Sequence, residues 1–168
     1  MRRGFTLGGM ALLAMISIGA LWAADADKEK ADKKKDAAFC PVGGIGHDVN
    51  KEVSVEFEGG KVSFCCDNCP APFKKDTAKF AANARHQLFA TGQIEQTNCP
   101  LSGQKLNPEH KIEVAGVEIT FCCPNCKGKI AKTEKQEEKI ALVFKASLKD
   151  SKTFKKAEKK AEKAEAKS

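Results

Sequence analysis

The chain has no tyrosine, a single tryptophan (Trp22) and only three methionines (Met1, Met10, Met15) among its 168 residues. All four of those scarce side chains precede Ala26, in a segment laid out as an export signal. Arg2 and Arg3 come first, then an uncharged run over residues 4–24, then Asp/Lys-rich sequence. Cleavage after Ala26 would satisfy the small-residue rule through Ala24 and Ala26 and leave a mature chain without Met, Trp or Tyr. A copper site built on thioethers is thereby excluded, and soft-metal chemistry falls to cysteine. The short length excludes a large multi-domain enzyme, and one long apolar run excludes a polytopic membrane protein.

That run, 21 residues long, would span a bilayer if uncut and so act as a membrane tether. Its Gly/Ala richness and its small terminal residues favour a cleaved signal, and with it a periplasmic or otherwise extracytoplasmic location. No cysteine ends the run, which excludes a bacterial lipoprotein anchor. The string Arg2-Arg3-Gly4-Phe5-Thr6-Leu7 is similar to a twin-arginine signal, which would carry the protein out already folded; an ordinary basic n-region is the plainer reading.

Positive charge is also scarce where a folded domain would sit. Of the formal +7, the terminal stretch 149–168 carries +4, and the segment 40–148 keeps only +1. A pI near 9.0 therefore does not describe a basic face, and nucleic-acid binding loses its support. No P-loop, nucleophile elbow, His-Glu-x-x-His or acid/base carboxylate pair occurs, so the expectation is a protein that is not an enzyme.

What is present is a duplication. Cys40-Pro41-Val42-Gly43-Gly44 recurs as Cys99-Pro100-Leu101-Ser102-Gly103. Val62-Ser63-Phe64-Cys65-Cys66-Asp67-Asn68-Cys69 recurs as Ile119-Thr120-Phe121-Cys122-Cys123-Pro124-Asn125-Cys126. The lone cysteine precedes the paired ones by 25 positions in one copy and 23 in the other. Between them, Val53-Ser54-Val55-Glu56-Phe57, the turn Glu58-Gly59-Gly60-Lys61 and Val62-Ser63-Phe64 predict a β-hairpin. Ile112-Glu113-Val114, Ala115-Gly116 and 117–121 predict its twin.

Helical spacing follows each knuckle. Asp76 reads as an N-cap, Gly92 as the residue just past the C-terminus, and Phe73, Phe80, Ala84 and Leu88 as one apolar stripe. In the second copy a helix is expected from Thr133, with Ile140, Val143 and Phe144 inward. The organisation is thus an α+β protein of two tandem small units, each a Cys loop, a hairpin and a C-terminal helix. Residues 40–92 and 99–148 form the units; 1–26 is the signal, 27–39 a charged linker, 93–98 a connector and 149–168 a Lys/Glu/Ala-rich tail, whose residues 155–167 read as a solvated helix or a disordered stretch.

Units of about fifty residues bury too little apolar surface to fold unaided, so the cysteines are expected to supply the rest. Three chemistries compete. Thiolate metal binding fits a Cys-x-x-Cys knuckle (Cys66 and Cys69; Cys123 and Cys126) completed by a distant Cys40 or Cys99. A disulfide framework fits an even cysteine count in an exported chain, and a dithiol redox site fits Cys-x-x-Cys alone. Adjacent cysteines at the end of one hairpin favour metal, with zinc or copper(I) as the ion; the redox reading lacks its usual βαβ context.

Taken as a set, Cys-Pro-Val-x-Gly, a Gly turn, a strand ending Phe-Cys-Cys-x-x-Cys, and then Phe73, Asp76 and Lys79-Phe80 resemble the YHS/TRASH type of heavy-metal-binding domain. The first copy carries the resemblance over 40–80 and the second over 99–126, with Ile130 in the place of Phe73. The resemblance implies a treble-clef-like fold and a role in metal trafficking, sensing or resistance. It also implies Cys65 with Cys69, and Cys122 with Cys126, as ligands, where the spacing by itself favours Cys66 and Cys123. All eight, Cys40, Cys65, Cys66, Cys69, Cys99, Cys122, Cys123 and Cys126, stand as candidates. His47 and His110 read as surface or loop histidines, His47 being the better candidate for a fourth ligand, and His86 reads as a partly exposed helix residue. The metal ion is the expected partner.

Overall fold

The computed structural model describes residues 37–148 and 152–157. Residues 1–36, on which the signal, export, tether and twin-arginine expectations fall, lie outside the described residues, and with them most of the expected linker; so does the last part of the tail. Among the described residues no helix is long and apolar enough to cross a membrane.

The protein is α+β, built on two hairpins of one design. β1 (Asn50–Phe57) pairs antiparallel with β2 (Gly60–Phe64), placing Val55 opposite Val62. In the second copy β4 (Asn107–Val114) pairs with β5 (Val117–Phe121), placing Ile112 opposite Ile119. Each long strand carries a register shift at the same place, Asn50/Ser54 and Asn107/Lys111. In each, the leading asparagine side chain accepts a hydrogen bond from the backbone two residues on, Asn50 from Glu52 and Asn107 from Glu109, both at 3.0 Å. The two-residue turns are matched as well. Glu58-Gly59 has φ of 49° and 80°, and Ala115-Gly116 has 47° and 83°, the doubly left-handed geometry that suits the twist of a tight hairpin. Glycine meets that demand without a side-chain clash; Glu58 and Ala115 do not, and the Glu58 carboxylate has a partner that offsets the strain.

Past the first hairpin come α1 (Pro70–Lys75) and α2 (Thr77–Ala90). Asp76 caps α2 as its sequence position suggests, accepting from Lys79 N at 3.2 Å. Gly92, at φ 71°, ends it: Gly92 N bonds Phe89 O at 3.0 Å and Gln93 N bonds Leu88 O at 2.8 Å, the paired closure of a Schellman motif. β3 (Ile94–Gln96) leads into the second copy, where α3 (Pro124–Ala131) and α4 (Gln136–Val143) follow the hairpin. The helix expected from Thr133 begins three residues later, with Lys135 at its N-cap making no side-chain cap. Ile140, Val143 and Phe144 are buried as their spacing requires.

Segments that composition marks as solvated connections carry structure. The connector 93–98 contains β3, whose partner is β6 (Phe154–Lys156), drawn from the stretch read as a solvated tail. Phe154 is 1% exposed and stacks on Phe144 with ring centroids 5.1 Å apart. At the other end, Ala37 and Phe39 of the expected linker are buried. Single aromatic anchors in lysine-rich runs produce no periodicity, which is why composition hides them.

The two units share one core. Buried residues from both copies, with Phe39 and Phe154, form a single cluster. α2 is the shared wall, buried around most of its circumference over 84–88, and it takes three consecutive polar side chains inside, all hydrogen-bonded except at His86 Nδ1, which has no partner among the described residues. Arg85 grips Glu58 with two bonds of 2.9 and 2.7 Å and donates to the carbonyls of Phe144 and Lys145 beyond α4. Gln87 donates to the carbonyls of Phe39 and Ser63 and accepts from Ser63 N. His86 is fully buried rather than partly exposed: its ring lies 4.8 Å from that of Phe39, and Nε2 is 3.3 Å from the carbonyl of Val114 in the second hairpin. Polar character at 85–87 reads as a solvent face in sequence, whereas the first hairpin and the Cys-Pro loop supply partners to Arg85 and Gln87, and the second unit supplies them to Arg85 and His86.

Candidate metal centres

The hairpins deliver the cysteines. β2 ends at Phe64 and β5 at Phe121, both fully buried, and this fixes where the next residue begins. Cys65 and Cys122 therefore leave the strand ends at equivalent points, and the following turn brings back Cys69, at the mouth of α1, and Cys126, in the first turn of α3. The distant cysteines arrive from the Cys-Pro loops, closed by Gly44 N to Cys40 O and Gly103 N to Cys99 O, each 2.8 Å.

The sulfurs of Cys40, Cys65 and Cys69 lie within 4.8 Å of one another, as do those of Cys99, Cys122 and Cys126. In the first set Cys65 and Cys69 are 3.5 Å apart, and Cys66 stands 3.8 Å from Cys65 and 3.6 Å from Cys69. In the second, Cys122 is 3.7 Å from Cys126 and 3.6 Å from Cys123. Four sulfurs held at about 2.3 Å around a tetrahedral ion would lie about 3.8 Å from one another. The donor set therefore fits a soft or borderline cation in both its chemistry and its spacing.

The structure brings together the cysteine pairs implied by the resemblance, Cys65 with Cys69 and Cys122 with Cys126. Cys66 and Cys123, favoured by spacing, stand beside those sets but outside them. All eight cysteines are free thiols; Cys40 and Cys99 are buried, Cys66 is exposed, and the others are intermediate. Among the described residues no histidine joins either set. His47 is exposed, with its ring against Gly43, and His110 lies on β4 rather than in a loop.

Crowding divides the thiols into proton-holding and proton-releasing groups. Burial works to raise the Cys40 thiol, but backbone N–H groups of Gly43, Cys65 and Val42 outweigh it and leave Cys40 below its ordinary value. Cys99 is treated alike: burial is opposed by the Ser102 hydroxyl and by the N–H groups of Cys122, Leu101 and Ser102, and the thiol comes down to about 7. Burial, with the neighbouring sulfurs, pushes Cys69 far up and Cys126 up to about 12. Such a cluster resists collecting several negative charges, and a bound cation would remove that resistance.

Neighbouring residues not singled out by the sequence complete the setting. Gln87 and Gln93 bond both the N–H and the C=O of Ser63 and Lys61 on the free edge of β2, and Gln96 does the same for Thr120 on β5. These amides act as short substitute strands, holding straight the strands that carry Cys65 and Cys122. Ser102 Oγ lies 3.1 Å from Cys122 Sγ. The one sequence signal that marks Ser102 is its alignment with Gly43 in the repeat. In comparison with known proteins, the chain matches no family model, no curated protein and no solved structure.

Proposed function

We propose that the protein is an exported, non-enzymatic metal-binding protein of the YHS/TRASH heavy-metal type, holding zinc or copper(I) through cysteine thiolates at two treble-clef-like centres. The observation that carries this reading is the pair of three-sulfur clusters, each with a further cysteine 3.6–3.8 Å from a cluster member. Thiolates are soft donors, and a shell filled by four of them leaves no open coordination position for catalysis; retention, delivery or sensing of the ion is the function that remains. Folding and metal binding then reinforce each other, since each ion would tie a Cys-Pro loop to the end of its hairpin.

Native mass spectrometry with metal analysis of the purified mature chain tests the reading. Two ions per chain, with thiols that become reactive only after chelation, are expected. Four disulfides and no metal would overturn it in favour of a disulfide-stapled interaction module, and turnover in an insulin-reduction assay would favour a thiol oxidoreductase.

A further inference from the structure

The two centres are copies in sequence but not in surroundings. Ser102 Oγ lies 3.1 Å from Cys122 Sγ and accepts a hydrogen bond from Gln104 N at 3.3 Å. With that backbone N–H on an oxygen lone pair, the hydroxyl proton is free to face the sulfur, and the hydroxyl becomes a donor to a Cys122 thiolate. The first centre has glycine at the corresponding position. A side chain there would be crowded: a Cβ on Gly43 would stand 2.9 and 3.0 Å from ring and side-chain carbons of His47, which the longer first loop brings into that space, so His47 would have to shift. The first centre thus has no hydroxyl donor at this place, and its Cys66 is exposed where Cys123 is half-buried.

A hydrogen bond to a thiolate withdraws electron density and lowers its reactivity toward electrophiles and toward incoming ligands. We propose that the centres divide the work: the second, its Cys122 shielded by Ser102, retains its metal, while the first exchanges its metal with an incoming thiol through Cys66. In the exchange the incoming thiol's sulfur takes the place of Cys66 on the ion and its proton passes to the Cys66 sulfur, with no change of oxidation state. This inference rests on the metal reading above. It identifies the partner's chemistry as a thiol ligand and Ser102 as a positioning residue.

The test uses the full chain loaded with Zn(II) and exposed to N-ethylmaleimide. Trypsin then separates the two Cys-Cys-x-x-Cys knuckles, without Cys40 and Cys99, on residues 62–74 and 112–127. Labelling of 62–74 is expected to run about tenfold faster than that of 112–127, the scale of one hydrogen bond to a charged group. Ser102→Ala should bring the second rate up toward the first, Ser102→Thr should restore the difference, and Cys66→Ser, which removes the thiolate that the incoming sulfur must displace, should speed the release of zinc from the first centre to glutathione and leave the second centre unchanged. Equal rates in the unmodified chain, or a second rate unmoved by Ser102→Ala, would overturn the division of labour while leaving a two-zinc stoichiometry intact. A chain that takes up neither zinc nor copper(I) would overturn both readings, and the metal-per-chain ratio distinguishes the two failures.

Discussion

The hairpin of the first unit and that of the second agree in register, bulge, Asx turn and doubly left-handed tip, yet the segments after them diverge. In the first, the six-residue α1 leads into an α2 of 14 residues that Asp76 caps and a full Schellman closure ends; in the second, α3 and α4 have eight residues each and α4 starts on an uncapped lysine. The half that the copies have in common is the half that positions sulfur. The divergent half is the half that joins the units, since α2 serves as a wall for both, and the copies have specialised: one supplies the wall and the other leans on it.

The joint can be broken most severely at Arg85. Arg85→Ala takes the counter-charge from the Glu58 carboxylate, 10% exposed and held below the usual carboxylate range by Arg85 against the opposing effect of burial, and leaves it only Ser147 Oγ and Leu148 N as donors. A loss of about 4 kcal/mol is expected, as for other broken buried pairs. Urea unfolding followed by probes in each unit checks the shared core: both units should melt together, and separate transitions would show two independent folds.

Acid should act next, through His86. Burial holds its imidazole at about 4, below its ordinary 6.5, so between those values the unfolded chain binds a proton that the folded chain refuses. Stability is then whole above about pH 6.5 and is lost as pH falls toward 4, by roughly 3 kcal/mol. His86→Leu should flatten that part of the stability profile, measured on the metal-free chain so that ligand protonation does not intrude. A profile unchanged by the substitution would remove His86 from the joint.

The glutamine braces sharpen the comparison further. Gln87 is buried and Gln96 half-buried, so Gln87→Ala should cost about 2 kcal/mol and Gln96→Ala about 1 kcal/mol in chemical denaturation. The reverse order would mean that the second hairpin depends more on its brace than the first. Smallest is the missing cap. Lys135 has extended backbone, φ −81° and ψ 133°, and Glu138 sits three residues on, so Lys135→Ser would create a capping box and remove a cation from the positive end of α4. A gain of about 0.5–1 kcal/mol is expected, seen as a higher unfolding midpoint.

Local patterns are legible in the amino-acid order. Alternation at 53–57 and 112–114 marks the strands, the Gly-bearing turns mark the tips, and Asp76 and Gly92 mark the ends of α2, because each depends on neighbours a few residues away. The recurrence of Cys-Pro and Cys-Cys-x-x-Cys locates both clusters. It does not separate Cys65 from Cys66, whose difference is which side of a strand end each sulfur leaves from. Phe154 is illegible because it is one apolar residue among lysines, and Phe39 because it lies in a short apolar stretch with no periodicity; the burial of each depends on residues of α2 or the second unit.

The duplication, the hairpins and the eight sulfurs thus belong to the sequence alone, since they follow from short-range periodicity and from the conformations that glycine and aspartate prefer. Folding in three dimensions was needed to settle that the two units share a core, that Arg85, His86 and Gln87 turn inward, and that Ser102 faces Cys122 while His47 lies over Gly43. A polar side chain is buried only where a partner waits for it. For these residues the partners lie in loops, turns and strands that only the folded chain brings into reach.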